Sequence, residues 1–317
     1  MTFGLAVLIV ATVALVAVPT SALVRGALPW LDRLAGLLAP RAAVRFWLVL
    51  AALPAVFAGL LVTTAFLPAF GIGTDHCLQH GEPHPHLCLA HGADLPGVAL
   101  LAMSLLVAAC ILRATASLVR SVRLIRETSW ALHLSAEPQG DVLVFDAREP
   151  QAFVLGVFRT RVHVSRALLA LGPDIVEPVL AHERAHIRWR DPLWRVCVPV
   201  LAVGHLPATA RALAARIGMA QELAADAEAA TSLTDGRTRV AEALLALVER
   251  HHAPLHSVAF VHGNVDARVR ALLREPVETR TSITASMLGA VVALFGVVVT
   301  CHEAVHHTLE RLLGMLS

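Results

Sequence analysis

Four uninterrupted apolar runs, at residues 3–24, 46–70, 95–112 and 283–301, limit what this chain can fold into more than any other feature of its sequence. Each is close to the roughly 20 residues that an α-helix needs to cross about 30 Å of hydrocarbon. A mean hydropathy of +0.67, with 56% apolar and 16% charged residues, is too oily for an ordinary soluble protein. The expected architecture is therefore mainly α and integral to a membrane, with about four transmembrane helices. Most of the charge falls in 119–282, the one candidate soluble domain. The chain then divides into 1–118 with three transmembrane helices, 119–282, and 283–317 with a fourth helix and a short tail.

Orientation follows from arginine. Arg25, Arg33, Arg41 and Arg45 follow the first run, and Arg113, Arg120, Arg123 and Arg126 follow the third, whereas 71–94 has none. The positive-inside bias makes this a multi-pass protein of the cell membrane with 119–282 cytoplasmic. The N-terminus, the 71–94 loop and the C-terminal tail then face outward. The first run lacks a charge before Arg25 and exceeds the roughly 7 to 15 apolar residues of a signal peptide, which favours a retained span over a cleaved one. All 26 basic residues are Arg, and a net charge of +2 is too small to suggest direct nucleic-acid binding.

Within 119–282, residues 117–134 read as a helix leaving the bilayer. DVLVFD (141–146), FVLGVF (153–158, with Gly156 as a bend) and TRVHVS (160–165) read as strands of a small sheet. The domain is thus expected to be α+β and zincin-like. Asp174 and Glu177 have capping-box spacing, so a helix should run from about Ile175 to Arg190.

That helix carries HERAH (182–186), one of two H-E-x-x-H patterns in the chain. His182 and His186, four apart, share a face and can reach one ion. Glu183, rotated by about 100°, can take a proton from water held there. A catalytic zinc normally has three protein ligands and one open position. MAQELAADAEAA (219–230) puts Glu222 and Asp226 on one helical face, Glu222 as the third ligand and Asp226 to accept the spare N–H of a ligating His. The second copy, HEAVH (302–306), fails on geometry: His302, His306 and Glu310 lie in a row along about 12 Å of helix. It reads as a polar cap on the last span.

Residues 192–207 are apolar but contain Arg195, Pro199 and Gly204. Were they a span, His182 and Glu222 would lie on opposite sides of the membrane. The charge-free stretch, about 11 residues, is instead that of a helix packed on the domain or dipping into one leaflet.

VLAHERAHIRWRDPLWRV (179–196), AFVLGVFRTRVHVS (152–165) and QELAADAEA (221–229) together resemble the BlaR/MecR family of membrane metallopeptidases, with a more distant similarity to HtpX-like and CAAX prenyl proteases. The resemblance covers nearly the whole chain: three spans, a cytoplasmic gluzincin domain, and a fourth span. It implies one catalytic zinc on His182, His186 and Glu222, Glu183 as base and Asp226 in support. Asp191, closing the HERAHIRWRD block, reads as a helix-end residue. HGNVDARVRALL (262–273) looks like a late family segment, in which Arg268 would pair with an acid near the site. The antibiotic sensors of the family carry an external penicillin-binding domain with a Ser-x-x-Lys nucleophile. This sequence has no Lys, so direct covalent beta-lactam sensing is not expected of it. The implied substrate is a cytoplasmic winged-helix repressor of the BlaI/MecI kind, or the enzyme itself. A quality-control protease and an inactive metal-sensing scaffold are the alternatives, and a homodimer is compatible with any of them.

The external loop DHCLQHGEPHPHLCLAH (75–91) holds Cys77 and Cys88 with His76, His80, His84, His86 and His91. A Cys77–Cys88 disulfide in an oxidising compartment is the favoured reading, and an external zinc or copper site is the alternative. Cys110, Cys197 and Cys301 sit in apolar contexts as packing residues. Of His251, His252, His256 and His262, one could stabilise an oxyanion, but solvated loop histidines are the commoner case.

Overall fold

A computed structural model describes residues 2–66, 97–133, 135–250 and 265–274, together with Gly289 and Gly296. The fourth apolar run, the Cys77/Cys88 loop, His251, His252, His256, His262 and HEAVH lie outside the described residues. The described chain is mainly helical. Helices α1 (Thr2–Ala35), α2 (Pro40–Phe66) and α3 (Gly97–His133) contain stretches long and apolar enough to cross a membrane, at Val13–Ala35, Pro40–Thr63 and Leu101–Trp130. These three helices mark a membrane protein.

The 25–45 segment between the first two apolar runs is largely helix, since only residues 36–39 separate α1 from α2. α3 runs unbroken from its apolar half into its arginine-bearing half, as the sequence predicts.

The sheet has four strands, β1 (Glu137–Gln139), β2 (Val142–Phe145), β3 (Ala152–Leu155) and β4 (Arg161–Ser165), in the order β1-β2-β4-β3. The β2–β4 pair is parallel and the other two pairs are antiparallel. Strand β1 was not foreseen: its three residues are all exposed and include Pro138, so they carry no apolar alternation. Gly156 ends β3 at φ 104°, and a Cβ there would meet the Arg159 carbonyl oxygen at 2.3 Å. Only glycine makes that bend.

Short α4 (Arg166–Leu169) leads to α5 (Pro173–Arg188), α6 (Asp191–Leu201), a 3-10 turn at Ala202–Gly204, α7 (Pro207–Ser232), α8 (Gly236–Arg250) and α9 (Val265–Leu273). The capping box at Asp174 does not form. α5 begins two residues earlier, after Gly172, with Pro173 fixing the first turn, and Glu177 instead pairs with Arg239 at 2.7 Å.

Two apolar cores follow. One joins β2, β3 and β4 to α5, α8 and α9 through Val144, Val164, Val179, Leu244 and Leu272. The other joins α1 and α2 to α6 and α7 through Trp47, Ala51, Val198, Leu213 and Ile217. The 192–207 stretch is thus a short helix and a turn packed on the membrane helices. Gly204 lies so close to α2 that a Cβ would touch Pro54 and Ala55 at 3.0 Å.

Candidate active site

The site forms where α5 and α7 meet. His182 and His186 lie one turn apart on the buried face of α5, with rings edge to face and centroids 4.7 Å apart. Their Nε2 atoms face each other at 3.1 Å. α7 brings Glu222 Oε2 to 3.4 Å from His182 Nε2, and Oε1 to 3.6 Å from His186 Nε2. One ligand atom from each residue lies within 4.8 Å of the others, so the three could hold one metal ion.

The opposite ring nitrogens are both occupied. His182 Nδ1 lies 2.8 Å from Asp226 Oδ1, and His186 Nδ1 lies 2.8 Å from Asp191 Oδ2. Carboxylates at both Nδ1 atoms select the tautomer that leaves each Nε2 lone pair free. This assignment comes from the hydrogen-bond network. A proton shared between the two Nε2 atoms would satisfy that contact alone, and Glu222 Oε2, buried between His182 and Arg268, accepts no hydrogen bond among the described residues. A divalent cation answers all three groups at once, and two imidazoles with one carboxylate suit zinc.

Arg268 holds Asp226 with a two-pronged grip: Nε donates to Oδ2 at 2.7 Å and Nη2 to Oδ1 at 2.6 Å. Its side chain is fully buried, and Nη1 lies 3.3 Å from Glu222 Oε2. The acid near the site that the sequence left unnamed for Arg268 is Asp226, with Glu222 beside it.

Asp191 does more than end a helix. The chain turns through Arg190 in the left-handed region, φ 54°, and sets Asp191 at the start of α6, 1% exposed, against His186. Arg41, from the start of α2, donates to both Asp191 oxygens through Nη1 at 3.1 and 3.2 Å and lies over the Trp189 ring at 4.7 Å. Arg195 on α6 donates to Gln221 at 3.0 Å and to Glu222 Oε1 at 2.6 Å. Sequence reasoning missed both arginines as site residues. Arg195 had a signal, since an arginine inside an apolar stretch needs a partner. Arg41, 150 positions from Asp191, had none.

Charge and burial oppose each other throughout. Burial would push the His182 imidazole down, but Asp226 and Glu222 raise it to about 9. Burial would raise the Glu222 and Asp226 carboxyls, yet the neighbouring imidazoles and arginines hold both below the usual carboxylate range. Glu183, 2% exposed, is pushed up by burial, which His182 and His186 only partly offset. A cation between the imidazoles would displace the His182 proton and draw Glu183 back toward its ionised form.

Residues 119–276 match the family model of Peptidase family M48. The match supports the M48 metallopeptidases, which are hydrolases and typically zinc-dependent. No curated protein and no solved structure matches the chain. The M48 segment contains α5, α7 and α9, and so every residue described above except Arg41.

Proposed function

We propose that the chain is a membrane-embedded zinc metalloendopeptidase and signal transducer, with its peptidase segment in the cytoplasm and a winged-helix transcriptional repressor, or the enzyme itself, as substrate. The observation that carries the peptidase reading is the pair of imidazoles with Nδ1 on carboxylates and Nε2 converging with Glu222. His182, His186 and Glu222 would hold the zinc, which supplies Lewis acidity that lowers the pKa of water and polarises the scissile carbonyl. Glu183 accepts the proton of the attacking water and delivers it to the leaving amine. Asp226 and Asp191 keep the imidazoles oriented, and Arg268 keeps Asp226 charged. A peptide would lie extended along β3, an edge strand with unpaired backbone groups, packed against α5.

The transducer reading is supported by Arg41, which ties a membrane helix to a metal-binding histidine through one carboxylate. The experiment is Glu183→Gln in the full-length protein, assayed for zinc content and for cleavage of a co-encoded winged-helix repressor. Zinc should stay stoichiometric while cleavage falls roughly 10²–10⁴-fold. Unchanged signalling by the Gln variant would mean an inactive scaffold. Cleavage of many unrelated proteins, with no preference for the repressor, would mean a quality-control protease.

A further inference from the structure

A cavity of about 580 Å³ opens between the α1–α2 turn and helices α7, α8 and α9, behind the site. Its volume lies within the range of about 300–1,000 Å³ common for ligand sites. Leu38, Ala43, Trp47 and Leu223 make one wall apolar, while four arginines and two aspartates also line it. The aspartates are spoken for. Asp32 takes two 2.7 Å hydrogen bonds from Arg216, and Asp226 takes those of Arg268. That leaves Arg237 and Arg274 with no acidic partner among the described residues; Arg237 donates only to the Ala271 carbonyl, at 3.3 Å. Two unmatched guanidiniums beside an apolar wall suit a ligand with an anionic head and a hydrocarbon tail.

The place of the cavity says where such a ligand comes from. Two helical stretches long and apolar enough to cross a membrane, Val13–Ala35 and Pro40–Thr63, end at the lining residues Ala35 and Pro40, so the cavity lies beside the turn that joins them. Basic pockets beside the ends of membrane helices bind acidic lipid headgroups. Guanidinium is the side chain best matched to phosphate.

We propose that this cavity binds one anionic phospholipid of the surrounding bilayer, with its phosphate on Arg237 and Arg274 and the upper part of an acyl chain along Leu38, Ala43, Trp47 and Leu223. The site does not depend on the peptidase reading. Its inner wall does include Asp226 and Arg268, so the ion pair that borders the lipid also holds His182.

The test is native mass spectrometry of the full-length protein, released from micelles holding equal amounts of phosphatidylglycerol and phosphatidylcholine. The wild type should retain phosphatidylglycerol about tenfold or more over phosphatidylcholine, as two arginines at a lipid surface imply. R237Q/R274Q should lose that preference, and R237K/R274K should keep most of it. Because Arg237 is half-buried and Arg274 exposed, unchanged unfolding temperature and metal content are expected in both variants. Equal retention of the two lipids by the wild type overturns the proposal, as does an undiminished preference in R237Q/R274Q. Displacement of the retained lipid by excess glycerol phosphate also overturns it, because that identifies a site for soluble anions.

Discussion

Helix α7 presents two unlike faces. Leu213, Ile217, Ala220 and Ala224 form a stripe packed on α1 and α2 without a charge among them. Glu222 and Asp226, on another face of the same helix, enter a lattice in which Glu183, Glu222, Asp191 and Asp226 stand against Arg41, Arg195 and Arg268 around two imidazoles. The apolar face is non-directional and scales with area. The ionic face is directional, since every buried charge needs a partner in place. The first can anchor the helix to the membrane pair, and the second can keep ligand atoms in register.

The sharpest way to break this comparison is one substitution on each face. Asp226→Ala takes the two-pronged partner from the buried Arg268 and should cost about 3–5 kcal/mol. It should also weaken zinc binding roughly 10–100-fold, by freeing the His182 ring. Ile217→Ala opens a cavity on the apolar face and should cost about 2–5 kcal/mol, leaving zinc stoichiometry unchanged. Thermal unfolding in detergent and metal analysis of both variants give the answer. If Ile217→Ala releases zinc as readily as Asp226→Ala, the two faces are not separable.

Arg41→Ala sharpens the comparison with a smaller effect, because Arg41 reaches His186 only through Asp191. Zinc affinity, measured by chelator competition, should fall roughly tenfold, with little change in unfolding temperature. Arg41→Lys should recover part of it. A loss of stability with unaltered zinc affinity would make Arg41 a packing residue over Trp189 and nothing more.

What the sequence revealed divides along the same line. Local pattern was enough to put His182 and His186 on one face, because four residues is about one helical turn, and to do the same for Glu222 with Asp226. Strands β2, β3 and β4 were legible from Val and Phe alternation, and α3 from its continuous apolar run. Other features escaped. The capping box at Asp174 failed because Gly172 and Pro173 already start the helix. Strand β1 is held by pairing with β2 and by nothing in its own composition. Arg41 depends on two helices meeting across 150 positions, which no spacing encodes. The apolar face of α7 went unread, since small alanines do not mark which neighbour they touch.

The smallest expected effect lies away from both faces, in the sheet. His163 on β4 is 5% exposed, stacks on Phe153 with ring centroids 5.5 Å apart, and has Nδ1 3.2 Å from the Arg161 carbonyl oxygen. Burial pushes its imidazole below the ordinary value; the Arg161 charge acts the same way, and the hydrogen bond to the Arg161 carbonyl opposes them in part. The unfolded chain takes up this proton near pH ~6.5, and the folded chain only at lower pH. Between those two points the unfolded state binds more protons, so stability rises with pH. The contribution is complete above about pH 6.5, is lost as pH falls toward the folded value, and is constant below it. His163→Phe keeps the stacking and removes the proton site. The fall in unfolding temperature from about pH 7 to pH 5 should therefore be shallower in the variant than in the wild type. Parallel curves over that range would show that His163 stays uncharged or charged alike in both states, and that the acid sensitivity of the fold lies in other groups.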